Sequence, residues 1–180
     1  MHRLLIAAIA TLGLSTSALA FEASSADLAD GNVSNEFVFA GFGCTGDNVS
    51  PAVSWKDAPE GTKSFAVLVH DPDAPTGGAG WWHWLVYNIP ATTTSLEKGA
   101  GNKDGKLPEG AAQVATDFGM PGWGGPCPPE GDDAHRYNFT VYALGAEKLE
   151  IPEGATASLA GFMINGAAIG KAEFTAKYGR

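Results

Sequence analysis

Three segments constrain this chain more than anything else in it: SFAVLVH (residues 64–70), HWLVYNI (83–89) and YNFTVYAL (137–144). Each crowds β-branched and aromatic residues between turn-forming stretches. Such side chains are stiff at Cβ or broad and flat, and they fit a pleated surface better than a helix, so each segment predicts a strand. Glu36–Phe39 and Ala52–Trp55 predict two more on the same grounds. The 24 glycines and 11 prolines are spread along the chain, which suits short strands joined by irregular loops. No repeat, low-complexity tract or linker divides it. Between residues 91 and 129 regular structure nearly vanishes, and a connection that long in a small domain is usually functional. From Ala155 to Phe174 the chain becomes Ala-rich and mostly uncharged, which predicts a helix or two interrupted around Asn165 and Gly166. The sum is a mainly β fold with peripheral C-terminal helices.

The first twenty residues, MHRLLIAAIATLGLSTSALA, follow a different plan. A short basic start at His2 and Arg3 precedes an apolar run from Leu4 to Leu14, and small residues close around Ala18 and Ala20. That is the layout of a cleaved secretory signal peptide, too short in its apolar core for a membrane span. Residues 21–180 then form the mature chain, enough for one domain and too few for two comfortable ones. No transmembrane segment is predicted elsewhere, so the expected location is the periplasm or outside the cell. Formal charge is −9, and losing Arg3 takes it to −10. A surface this acidic excludes broad attraction for nucleic acid or anionic bilayers. Cys44 and Cys127 both lie in the exported part, where one disulfide between them is expected and two free thiols are the alternative.

The chemistry concentrates in two loops. HDPDAPTGGAGWWH, residues 70–83, leaves the first strand and enters the second, so Asp71 and His83 sit at facing ends of neighbouring strands if the pair is antiparallel. GGPCPPEGDDAHRY, residues 124–137, repeats the arrangement ahead of the third strand. Prolines stiffen both loops, which read as pocket walls. On the residues alone, plainer readings stay open. Asp71 and Asp73 can be turn formers capping backbone N–H groups, and His83 can be a strand histidine satisfied by a carbonyl. The tryptophans at 81, 82, 84 and 123 can be packing. Arg136 alternates with His135 and Tyr137, which turns it to the opposite face and toward an acid partner.

Several separated motifs in order carry a family resemblance: GFGCTGDNVSPAVSW (41–55), DPDAP, WWHWLVYNIP, GGPCPPEG, HRYNFTVYAL and the closing AEFTAKYGR. Together they resemble the bacterial, Raf-kinase-inhibitor-like branch of the phosphatidylethanolamine-binding proteins. The resemblance implies a β-sandwich with a large central antiparallel sheet, a smaller sheet and flanking helices. It also implies a small pocket for phosphate, acetate or a phosphorylated headgroup. The ligand-binding residues it implies are Asp71, Asp73, His83, Cys127, Pro128, His135 and Tyr137. In one place the chain departs from the pattern: Ala167 stands where the branch has a histidine, in a segment the resemblance sets at the pocket border.

A carboxylate beside an anion is repulsive unless it orients or charges a histidine that then donates to the ligand, or shares a proton with it. The expected arrangement therefore has Asp71 orienting and charging His83 or His135, with Tyr137 and the backbone N–H groups of Gly125 to Cys127 as neutral donors. Such a site favours a monoanion. The function expected is binding of a small anionic or phosphorylated ligand, with no catalytic residue, metal or cofactor, and a protein partner of unknown identity. Two other classes compete: a metal-assisted or acid/base hydrolase built on the same Asp and His residues, and a protease-inhibitor type of interaction module. No HExxH or GxSxG motif supports the hydrolase.

Overall fold

The computed structural model describes residues 19–180, so all but the last two positions of the predicted signal peptide lie outside the described residues. In chain order the strands are β1 (Glu22–Ser24), β2 (Ala40–Gly41), β3 (Cys44–Thr45), β4 (Val53–Lys56), β5 (Ser64–Asp71), β6 (Trp81–Pro90), β7 (Ser95–Leu96), β8 (Ala112–Gln113), β9 (His135–Leu144) and β10 (Ala168–Tyr178). One α-helix, α1 (Ala157–Ala167), precedes β10. The large sheet runs β10-β9-β5-β6-β8 with every neighbouring pair antiparallel. A smaller sheet runs β1-β4-β7, and β2 and β3 form a hairpin. No helix among the described residues is long and apolar enough to cross a membrane.

The three predicted strands are β5, β6 and β9, and they form the centre of the large sheet. Strand β5 alternates with period two between two cores. Phe65, Val67 and Val69 face one, and Ala66 and Leu68 face the other. The first core includes Val53, Trp55 and Leu96 from the small sheet. The second is closed by α1 through Ala157, Ala160 and Ile164. That double burial is why the β5 sequence is apolar almost throughout. Thr156 caps α1, its hydroxyl accepting from the Leu159 N–H at 3.2 Å.

Three expectations are corrected. Glu36–Phe39 is not a strand: Asn35–Phe37 is a 3₁₀ turn closed by Phe37 N–H to Ser34 O and Val38 N–H to Asn35 O, so local bonds win over the apolar run. The Ala-rich C-terminal stretch is helical only to Ala167, and from Ala168 it is strand β10. Ala172 and Ala176 are buried there while Lys171, Glu173 and Lys177 are exposed, a period of two that the alanine content masks. Ala167 also lies at the opposite end of the β9–β10 pair from His135. Its carbonyl accepts from Gly145 N–H at 3.0 Å, and Ala168 pairs with Leu144, whereas Tyr178 pairs with His135 at the other end of β9.

Candidate functional site

Asp71 ends β5, His135 begins β9 and Trp81 begins β6, so three strand termini meet at one end of the large sheet. A cavity of about 200 Å³ opens there, with Asp71, His83, Cys127, Pro128, His135 and Tyr137 in its wall. Phe42, Trp81 and Phe118 add an aromatic rim.

The position of His83 depends on an irregularity in pairing. Val69 pairs with Trp84 and His70 pairs with Trp82, which leaves His83 as one extra residue in β6. This bulge breaks the alternation. Trp82 packs into the core beneath α1, whereas His83 lies 5.1 Å from Tyr137 and 6.4 Å from Trp123, ring centre to ring centre, on the same side as Trp84. Regular pairing would have turned His83 to the helix side with Leu85.

Asp71 is buried and fully engaged. One carboxylate oxygen accepts from the N–H groups of Asp73 (2.8 Å) and Ala74 (3.1 Å), and the other accepts from His135 Nδ1–H at 2.7 Å. The turn-forming and histidine-orienting readings are therefore both true of the same residue. The histidine it orients is His135, whose Nε2 lies 3.6 Å from Asp132 Oδ2. His83 has a different partner: its Nδ1–H donates to the Gly124 carbonyl at 2.5 Å. Its Nε2, with the proton on Nδ1, is an acceptor. Burial first of all holds the His83 pKa down at about 4, against smaller opposing effects of the Gly124 carbonyl, Asp71 and Asp117 and a reinforcing one from His70. A cationic His83 donating to an anion is not what this geometry offers. Nor are the glycine amides free: Gly124 N–H donates to the His83 carbonyl and Gly125 N–H to Asn48 Oδ1.

Asp73 does not line the cavity. Its carboxylate takes a bidentate pair from Arg136, Nε at 2.9 Å and Nη2 at 2.6 Å, and accepts from the Arg136 backbone N–H as well. The guanidinium bonds hold its pKa at about 2. The expected acid partner of Arg136 is thus Asp73 itself.

Cys44 and Cys127 are joined in a disulfide. It ties the β2–β3 hairpin, which carries Phe42 at its tip, to the loop that carries Pro128 and Pro129. Arg180 joins the same two walls, Nε to Pro128 O at 2.7 Å and the guanidinium tips to Gly43 O and Phe42 O. The resemblance did not supply Phe42, Trp81 and Phe118. Phe42–Gly43 is a two-residue turn with φ of 53° and 87°, a position that glycine suits and phenylalanine does not.

Several polar atoms of the residues lining the cavity lack partners. Among the described residues, five buried side-chain polar atoms have no hydrogen-bond partner, and three of them belong to the cavity wall: Trp81 Nε1, His83 Nε2 and Tyr137 Oη. Burial, with the Asp71 charge next, raises the Tyr137 pKa far above the usual phenol range, so the hydroxyl keeps its proton. The residues lining the cavity therefore include two unpaired neutral donors and one unpaired neutral acceptor. No group of three or more His, Cys, Asp or Glu side chains among the described residues is arranged to hold a metal ion.

Comparison with known proteins agrees with this architecture. A family profile described as phosphatidylethanolamine-binding protein matches residues 24–179. UPF0098 protein YbcL of Escherichia coli (strain K12) is 50% identical over 172 residues, covering 94% of this chain and 93% of its own. YbhB of the same organism is 46% identical over 153 residues, covering 84% of this chain and 96% of its own. A Mycobacterium tuberculosis protein named as a lipoprotein, LppC, is 38% identical over 138 residues, covering 76% of this chain and 63% of its own. The crystal structure of E. coli YbcL, titled a new member of the mammalian PEBP family, superposes with a TM-score of 0.85 at 49% identity, covering 89% of this chain and 98% of that one. A Chlamydia trachomatis homologue, CT736, gives 0.74 at 30% identity, with the same coverage of 89% and 98%. With nearly the whole described chain matched in sequence and in fold, this protein belongs to the phosphatidylethanolamine-binding protein family.

Proposed function

We propose that this is an exported, single-domain binding protein (residues 21–180) whose cavity takes a small singly protonated anion, a phosphomonoester or phosphate monoanion, without chemical turnover. The observation that carries the reading is the convergence of three unpartnered buried polar atoms on one cavity wall. Leaving a buried donor or acceptor unpaired costs about 1–3 kcal/mol, so a ligand that pairs all three recovers a substantial free energy. A monoanion fits the donor set. Its unprotonated oxygens accept from Tyr137 and Trp81, and its own hydroxyl donates to His83 Nε2. The proton in the complex comes from the ligand, because His83 stays neutral above about pH 4. Asp71 repels a fully ionised ligand and tolerates a protonated one. The Cys44–Cys127 disulfide supports an oxidising location, and the name of the LppC relative points toward the cell envelope.

Thermal shift of the mature protein titrated with phosphate, phosphoethanolamine, acetate, sulfate and divalent metals tests the reading, since a ligand specific to the native state raises the melting temperature with concentration. Phosphomonoesters stabilise the protein, and their affinity falls as pH rises through their second ionisation near about 6. Sulfate, which carries no proton there, has little effect. Equal stabilisation by sulfate and phosphate removes the role assigned to His83 Nε2, and stabilisation by metals alone puts the hydrolase first.

A further inference from the structure

The tautomer of His83 decides whether the cavity floor presents an acceptor or a donor, and the cause of that choice lies outside the cavity. The Gly124 carbonyl that receives His83 Nδ1–H shares a peptide group with the Gly125 N–H, and this N–H donates to Asn48 Oδ1 at 2.8 Å. In a trans peptide the N–H and C=O point in opposite directions, so holding the N–H aims the carbonyl. The preceding peptide is held the same way. Asn48 Nδ2 donates to Trp123 O at 3.2 Å, and the Gly124 N–H of that same peptide donates to the His83 backbone carbonyl at 3.0 Å. One amide side chain thus grips two successive peptides from one side while His83 grips both from the other. The two contacts also fix which way the Asn48 amide faces, because one neighbour is a donor and the other an acceptor.

The local backbone is shaped for this grip. Asn48 has φ of 54°, a region that asparagine enters more readily than most residues. Its own N–H donates to Val38 O and its carbonyl accepts from Asn102 Nδ2, so its position does not depend on its side chain. Gly124 and Gly125 have no room to be anything else. A Cβ at the first would lie 2.3 Å from the Phe118 ring, and at the second 2.1 Å from the Phe37 carbonyl oxygen.

We propose that Asn48 is a positioning residue: through the 124–125 peptide it keeps the proton of His83 on Nδ1 and so leaves Nε2 as the acceptor in the ligand cavity. The consequence for ligand choice rests on the anion-binding reading; the tautomer itself does not. Asn48→Gly is the informative variant, since glycine accepts the positive φ and removes only the amide. Ring ¹⁵N shifts of His83 in the free protein near neutral pH report the tautomer directly. The expected result is Nδ1–H alone in the native sequence, a population of Nε2–H in Asn48→Gly, and restoration of Nδ1–H in Asn48→Asp, which keeps the acceptor for Gly125. Affinity for inorganic phosphate falls by about tenfold in Asn48→Gly, the equivalent of one hydrogen bond. An unchanged tautomer in Asn48→Gly, or loss of Nδ1–H in Asn48→Asp, overturns the proposal. If the tautomers behave as expected while the unsubstituted protein ignores phosphate, the positioning role stands and the anion-binding reading fails.

Discussion

Replacing both Cys44 and Cys127 with serine separates two jobs that the cavity wall combines. The bond closes a loop across 83 residues. In the chain-entropy account, removing a cross-link of that span returns to the unfolded state a freedom equivalent to about 4.5 kcal/mol at 25 °C, within a range of roughly 2–5 for native disulfides. For a domain of this size each kcal/mol moves the melting temperature by about 2–4 °C, so the double variant should melt roughly 10–18 °C lower. The cavity is expected to survive, because Arg180 still joins Pro128 O to Phe42 O and Gly43 O. Guanidinium unfolding followed by tryptophan fluorescence gives the first quantity, and phosphate titration of the folded variant gives the second. A loss below about 1 kcal/mol refutes the unfolded-state account. A stable variant that no longer binds phosphate shows instead that the disulfide shapes the native wall and that Arg180 does not replace it. Where the serine variant still binds phosphate, Arg180→Ala in that background should be the change that loosens the wall.

Tyr137→Phe removes an unpartnered buried hydroxyl, so the free protein should be as stable as before or up to about 1 kcal/mol more stable, while phosphate affinity drops about tenfold; chemical denaturation and isothermal titration of one preparation read both. His83→Ala should weaken phosphate binding with an unchanged circular dichroism spectrum, and unchanged affinity removes His83 from the site. The His83 pKa of about 4 in the folded chain lies below its ordinary 6.5. Between those values the unfolded chain takes up a proton that the folded chain refuses. Its contribution is therefore complete above about 6.5 and is lost as pH falls toward 4, on the order of 3 kcal/mol. Stability curves of His83→Gln and the native sequence should converge over that window, and parallel curves refute the assignment. Asp73 has a depressed folded pKa of about 2, so its contribution is present above the usual carboxylate range and fades as pH falls through about 2. Asp73→Asn should remove that part of the acid sensitivity and leave phosphate affinity alone, because Asp73 is outside the cavity.

What could be read in the sequence divides along a physical line. The central strands were legible because burial on two faces writes a continuous apolar run, as in β5, and stiff or flat side chains mark it as strand. Strand β10 was hidden because alanine serves a helix and a crowded sheet face equally well, and only the intervening Lys171, Glu173 and Lys177 carried the period of two. In the site, motif order named Asp71, His83, Cys127, Pro128, His135 and Tyr137, and all six line one cavity. Asp73 was named with them because the DPDAP motif carries both carboxylates. In a turn, their spacing sends the second carboxylate outward to Arg136. The polarity of the floor was out of reach for a different reason. It depends on a one-residue bulge that turns His83 over and on a peptide aimed by Asn48, 77 residues away from Gly125. Neither a register shift nor a carbonyl direction is a property of any residue type. Both arise only when strands and loops from distant parts of the chain meet. A histidine in a motif can thus be recognised as a site residue from sequence, while its role as donor or acceptor is set by the fold around it.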